Sequence, residues 1–495
     1  GGFAGLGIAS GADFDDVRPG GGGTIDATGY HGNAVFGSFE AALDERRSLR
    51  ATASAHRDFD VPRTDRLITG FGQTAPADVE WDYALQERER FLVVYDDRAG
   101  PAESMQVRLS FRRTDEERRI RPAGSSVRRL EDDEVDTLGL GVDWRRSLGD
   151  HLLTWGFDVD HDEVDSFRRD VDLATGNALA VDGTFAPDSR YTSTGVFVQD
   201  ELFALDPFLV TAGLRWSWFG FAFDEPGSTG RETGNFDAVT ASLQVARDLS
   251  DGARLSATLA QGFRAPNLSE LAKNNSFSGG EQLANPDLEP EESLMGELAL
   301  ELETGPWRAA FAAHHTEIDD TIGRVLIDPG GPQPGDELYL RENVGSLRVS
   351  GLEAAVRRRL GAQASPWSAS ARAEWTRGRV SGGDPARRIP PLFGALGVDW
   401  EARSAGGGTG GGIRWARAAW VFALEQDELN PEDVEDPRID PDGTDGWSRL
   451  DLEVGGPLGA SAGSRWSLGL QNVFDERYRV HGSGSNSLGR NFVFG

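Results

Sequence analysis

The chain has no cysteine in 495 residues. That excludes a disulfide framework and any thiolate metal site, without fixing a compartment. No run of about 18 apolar residues exists, so no transmembrane helix is expected. The chain opens on Gly1-Gly2 rather than on Met and a basic segment, and no signal peptide is visible. Basic residues are in short supply, 50 Lys and Arg against 81 Asp and Glu, giving a net charge of −31. That balance argues against nucleic acid as a partner, because its phosphates need Lys and Arg to neutralise them. There is no GxSxG elbow and no His-Glu-x-x-His, and the seven His are scattered along the chain. Neither an enzyme nor a cofactor is expected.

What is present is alternation. Leu49, Ala51, Ala53 and Ala55 face away from Arg50, Thr52, Ser54 and His56; Val107, Leu109 and Phe111 alternate with Arg108, Ser110 and Arg112. Leu138–Trp144 and Leu153–Val159 repeat the pattern. In Phe208–Phe219, Val210, Ala212, Leu214, Trp216 and Trp218 share one face, and Thr211, Gly213, Arg215 and Ser217 share the other. A period of two is the signature of a β-strand with two unlike faces. A mean hydropathy of −0.42 suits a soluble all-β protein and a membrane barrel equally, since lumen and lipid residues alternate in a barrel.

Three features favour lipid. Trp recurs at strand ends, among them Trp144, Trp216, Trp307, Trp367, Trp400, Trp447 and Trp466; an indole prefers the membrane–water interface. The face opposite the apolar row is charged and Gly-rich, as a wide aqueous lumen requires. Links also alternate in length: short at Asp44–Arg47, Ser147–His151, Ala204–Pro207, Leu249–Ala253 and Thr304–Gly305, long at Asp60–Leu85, Thr114–Asp136, His161–Arg190, Arg264–Ser293 and Glu425–Gly446. Short periplasmic turns and long outer loops characterise outer-membrane barrels. The spacing predicts about twenty strands.

Phe263-Arg264-Ala265-Pro266, followed by Asn285-Pro286-Asp287-Leu288 and Pro290-Glu291, resembles the central signature of TonB-dependent outer-membrane receptors. Further boxes keep the family's order: Tyr191–Arg215, Asn343–Glu353, Arg388-Ile389-Pro390-Pro391, Gly443-Thr444 with Trp447, Leu470–Tyr478, and Gly489–Phe492; Arg63-Thr64-Asp65 also fits. The resemblance implies an all-β fold, a transmembrane antiparallel up-and-down barrel of about 20–22 strands, in the bacterial outer membrane. It implies a receptor taking up a scarce nutrient such as a ferric siderophore or cobalamin. Its partners would be outer-membrane lipid, that ligand, a plug domain and TonB. Relatives precede the barrel with a TonB box and a plug of roughly a hundred residues or more; neither is visible, so residues 1–495 are expected to be a barrel domain trimmed at both ends. Haem receptors of the family carry an iron-ligating His between the two central boxes; Asn267–Ala284 has none, and haem is not expected.

Two residue sets stand out as candidate sites. Asp427–Asp445 holds nine carboxylates against Arg438, and Asp433, Glu435, Asp436, Asp440 and Asp442 could supply oxygen ligands to Ca²⁺, although the order is not that of an EF-hand; a solvated acidic loop is the plainer reading. Glu297, Glu301, Glu303, Glu353, Arg357, Arg372 and Glu374 alternate with apolar residues and are expected to face the lumen, where relatives hold their plug. His314-His315 cannot readily chelate one ion, since neighbours on a strand point to opposite faces. The alternatives to a receptor are a passive porin-like channel and a soluble β-rich binding protein.

Overall fold

The computed structural model describes residues 2–98, 100, 103–224, 230–272, 275–277, 280–330, 337–361, 365–402, 412–458 and 464–495. Twenty strands, from Phe3–Phe14 to Asn491–Phe494, follow one another as antiparallel neighbours. Ala178–Asp182 folds back on His151–Asp172 and completes a 21-stranded sheet. A second sheet of four short strands, Asn275–Phe277, Gly280–Gln282, Ile322–Asp328 and Leu338–Asn343, is built from two of the long links. Among the described residues helix is confined to three single turns, Thr64–Leu67, Leu268–Leu271 and Pro431–Val434. The first and last strands share no ladder among those residues; a bridge between Pro19 and Leu488 and a bond from Gly489 N to Arg18 O (2.9 Å) link their outer ends.

Register carries the alternation from strand to strand. Thr258 pairs with Glu297 and Glu297 with His314; Leu298 pairs with Ala257 on one side and Ala313 on the other. One face of the wall is therefore a continuous apolar surface, with Leu259, Leu294, Leu298, Phe311, Leu352 and Leu396 all exposed. An apolar face on this scale is stable only against lipid. The other face carries the charged rows and lines the lumen.

The expected long outer links are shorter than the alternation suggested. Thr114–Asp136 is mostly ladder: Ser104–Pro122 and Val127–Leu148 stay paired from Ser104–Arg145 up to Ile120–Arg129. Likewise Val127–Leu148 and His151–Asp172 pair over their whole length. Beyond the apolar rows both faces of these hairpins are polar, which erases the periodicity while leaving the backbone pairing intact. Cross-strand ion pairs take over: Arg113 donates to Asp136 (Nε–Oδ1 2.7 Å), and Arg118 meets Glu131 (3.3 Å) and Asp133. The last strand, Asn491–Phe494, pairs with Leu468–Gln471 over four residues.

A small core lies at the outer mouth. Leu268, Leu271 and Ala272 from the link after Arg264 pack with Leu288 against Phe221, Phe223 and Val164 of the wall. These wall residues share the lumen parity of Arg215 and Asp158, so the link folds inward.

Candidate functional site

The family-signature residues form a joint. Arg264, at the end of its strand, donates to Glu291 (Nε–Oε2 2.7 Å, Nη2–Oε1 2.6 Å) and to Glu270 of the following turn (Nη1–Oε2 2.8 Å). Glu291 in turn accepts from Ile322 N (2.8 Å). Asn267 caps that turn by accepting from Glu270 N, while Glu270 accepts from Asn267 N; this capping box satisfies both orphan amides. Pro266 is fully buried and its carbonyl accepts from Tyr191 Oη (2.9 Å); Ala265 and Leu288 are buried. Asn285 accepts from Asp287 N, which turns the chain around Pro286, and donates to Arg341 O. Alternation puts Phe263 on the lipid row, but its ring lies 5.8 Å from that of Phe219 on the inner face. The cause is local: the ladder between Arg231–Ser250 and Ala253–Arg264 ends at Ser242–Ala260, and the Gln261 side chain accepts from Ala241 N instead.

Other boxes behave in the same way. Asn343 donates to Glu289 O and Asp320 O and accepts from Glu289 N. Asn472, buried at positive φ, bonds Glu476 N, Glu476 O and Leu488 O. Arg215 grips Asp158 through two 2.8 Å bonds, lying over Gly195 where any Cβ would collide with the guanidinium. The motifs are thus fasteners of strand ends and loops. Sequence reasoning located them but not their partners, some of which, such as Tyr191 for Pro266 and Asp158 for Arg215, lie more than 50 residues away in the chain.

The acidic loop is not an open carboxylate cluster. Asp433 and Asp436 are buried. Asp433 accepts from Arg388 N (2.8 Å) and Arg387 Nε (3.3 Å); Asp436 accepts from Arg388 (2.6 Å) and Arg438 (2.8 Å). Asp440 accepts from Asp442 N in a local turn, and Glu435 is exposed. Among the described residues no group of three or more His, Asp or Glu is arranged to hold a metal. A net-charge count missed the arginines at 387 and 388, which reach this loop from the preceding link.

The seven lumen candidates share one face of the wall. Glu301 lies in a row with Ala310, Ala355 and Arg372; Ala312, Glu353 and Glu374 lie in the next row, and Arg308, Arg357 and Ser370 in the row on the other side. Glu353 stands directly opposite Glu374, a like-charge pairing that disfavours the bare wall. Near the short turns the same face forms a recess of about 1020 Å³ lined by Arg254, Arg308, Arg357, Arg372 and Arg417. Most of these cations are already occupied: Arg254 by Asp248 (2.7 Å), Arg308 by Glu303 (2.8 Å), Arg417 by Asp399 (2.6 Å), and Arg357 by Ser368 Oγ (2.9 Å). Among the described residues Arg372, Glu297, Glu301, Glu353 and Glu374 make no ion pair of their own. His314 lies in the Glu297 row, whereas His315 points to the other face and bonds Ser350 Oγ (2.7 Å).

A model of the TonB-dependent receptor-like β-barrel matches residues 6–473. The chain belongs to that family and is a bacterial outer-membrane protein. The solved structures it resembles include the copper transporter OprC, with a TM-score of 0.82 and 17% identity over 99% of this chain and 77% of that one. The ferric citrate transporter FecA gives a TM-score of 0.73 and 14% identity, covering 99% and 72% of the two chains. Among curated proteins, the iron-regulated outer membrane virulence protein of Vibrio cholerae is 27% identical over 215 residues. That match takes in 42% of this chain and spans 29% of the relative's length.

Proposed function

We propose that residues 1–495 are the barrel of a TonB-energised receptor that captures a scarce nutrient at its outer mouth and passes it inward. A ferric siderophore is the first choice of ligand, with cobalamin or a similar chelate as the alternative. Support comes from the names of the similar proteins, an iron-regulated protein, a ferric citrate transporter and a copper transporter. The carrying observation is the charge left over on the lumen face. Glu353 opposite Glu374, with Arg372 one row away, needs counter-charges from something seated in the lumen. A plug domain would supply them, with Glu297, Glu301, Glu353, Arg357, Arg372 and Glu374 as its contact band. On this reading the central signature holds the mouth in shape, the protein makes and breaks no bonds, and the work of opening comes from TonB.

The test pairs growth with conductance. Deletion of the gene, or of TonB, is expected to abolish growth on one ferric chelate or corrinoid source, and the intact receptor is expected to stay closed in planar bilayers. Unimpaired growth on every source, together with an open pore in the bilayer, would establish the passive channel instead.

A further inference from the structure

Two features of the lipid face lie in line with each other. On the rim next to the turn at Gly305-Pro306, Trp307 and Arg358 are directly opposed, and the guanidinium sits 4.8 Å from the indole ring centroid. Among the described residues Arg358 makes no ion pair. A guanidinium held over a ring by a cation–π contact still has N–H donors to offer, and their fork matches phosphate geometry. Further in, the same strands form a dent of about 530 Å³ in the apolar wall. Its floor is Ala354 and Ala373, a directly paired couple, and its sides are Phe311, Leu298, Leu352 and Trp375. All four flanking side chains are exposed. Ala354 lies four residues from Arg358 on one strand, a span of about 13 Å.

From these observations we infer a binding site for one glycerophospholipid of the periplasmic leaflet. The phosphate is held by Arg358 on its Trp307 platform, and an acyl chain runs over Val356 and Ala371 into the alanine-floored dent. Short turns face the periplasm, which puts the Arg358 rim at the level of phospholipid headgroups. The dent is continuous with the lipid-facing wall, and the unpaired cation lies at its headgroup end. The two halves of the site match the two halves of the ligand. A headgroup or a chain alone would use only one of them.

The experiment is native mass spectrometry of the full chain extracted in mild detergent, titrated with dimyristoylphosphatidylglycerol or with the diacylglycerol of the same chains. One phospholipid is expected to survive detergent exchange on the wild type. Arg358→Ala should lose it, and so should Ala373→Leu, which fills the dent while leaving the cation. Diacylglycerol should not be retained. Heat-modifiable migration in gels checks that each variant keeps its barrel. Equal retention by wild type and both variants would overturn the site. Retention of diacylglycerol would reduce it to an apolar dent. If Arg247→Ala, which removes a guanidinium 5.3 Å from the Phe208 ring on the same rim, costs as much as Arg358→Ala, the effect is general rim attraction and the site is wrong. A doubled mass abolished by Ala373→Leu would mean that a second copy of the chain occupies the dent.

Discussion

The two halves of the wall raise their outer rims by different means. Between Asp78 and Asp172 four strands of 20, 19, 22 and 22 residues run on as two tall hairpins. A membrane crossing needs about 9–11 residues, so roughly half of each strand stands clear of lipid. Between Phe393 and Gln471 the strands have 9, 9, 11 and 7 residues, and the rim is made of irregular loops tied by the single helical turn Pro431–Val434 and by arginines. The first design spreads its charges along a ladder, with Arg113 opposite Asp136 and Arg118 opposite Glu131. The second concentrates them, with three arginines around Asp436 and Asp433. Backbone pairing can replace motif chemistry, and motif chemistry can replace backbone pairing, over the same lumen.

Substitutions that remove one kind of support and spare the other put this contrast to the test. The largest effect is expected from Arg118→Ala. Its side chain is 14% exposed, and its partners Glu131 and Asp133 are 2% and 9% exposed, so Asp133 loses its cation and Glu131 keeps only Arg129 at 3.7 Å, at a cost of about 3 kcal/mol. Hydrogen exchange should speed up in the tips of Ser104–Pro122 and Val127–Leu148 and leave the loop at 424–446 unchanged; protection that persists would refute the ladder account. Asp436→Asn comes next, at about 2 kcal/mol, because Arg387, Arg388 and Arg438 lose the anion that holds them together. Limited proteolysis should then cut within 427–445, while heat-modifiable migration stays that of the wild type, since the Trp415–Ala423 ladder does not depend on that loop. Cleavage in the tall hairpins instead would show that the halves are coupled.

A third substitution should do almost nothing. Arg57→Ala breaks an exposed pair with Glu87, and about 0–1 kcal/mol is expected in urea unfolding. A larger loss would mean that the ladder charges act as one network. The last effect is one of pH. Asp115, on the hairpin beyond the apolar row, has its carboxyl pushed up to about 6 by burial and by Asp132, Glu117 and Glu134 nearby. The folded hairpin therefore binds this proton more tightly than the unfolded chain does. Its penalty is absent below about pH 4 and grows as pH rises towards 6. Asp115→Asn should stabilise the hairpin at pH 7 and leave it unchanged at pH 3.5; a gain at both values would point to a cause other than ionisation.

Residue patterns revealed the wall best where one face meets lipid, because Leu294, Leu298 and Leu300 can alternate with Glu297 and Glu301 only in a strand. They failed where both faces meet water. Thr114–Asp136 reads as a link, and only its register shows Arg113 opposite Asp136. The lumen row could be assigned from parity, since Glu353, Arg357, Arg372 and Glu374 obey the period of two. The opposition of Glu353 and Glu374 could not, because it depends on how two hairpins align. Phe263 kept its parity in sequence but not in space, since the ladder parts above Ala260. The acidic loop invited a calcium reading because its arginine partners lie about 45 residues earlier in the chain.

The Arg264 joint has a consequence for how the mouth moves. One guanidinium holds the strand end, the capped turn at Glu270 and the start of the next strand at Glu291, and Ile322 hangs from the same Glu291 carboxylate. Whatever shifts the turn must drag two wall strands with it. This part of the mouth is therefore a fixed doorpost rather than a door, and any gating over it has to swing from elsewhere on the rim or from inside the lumen.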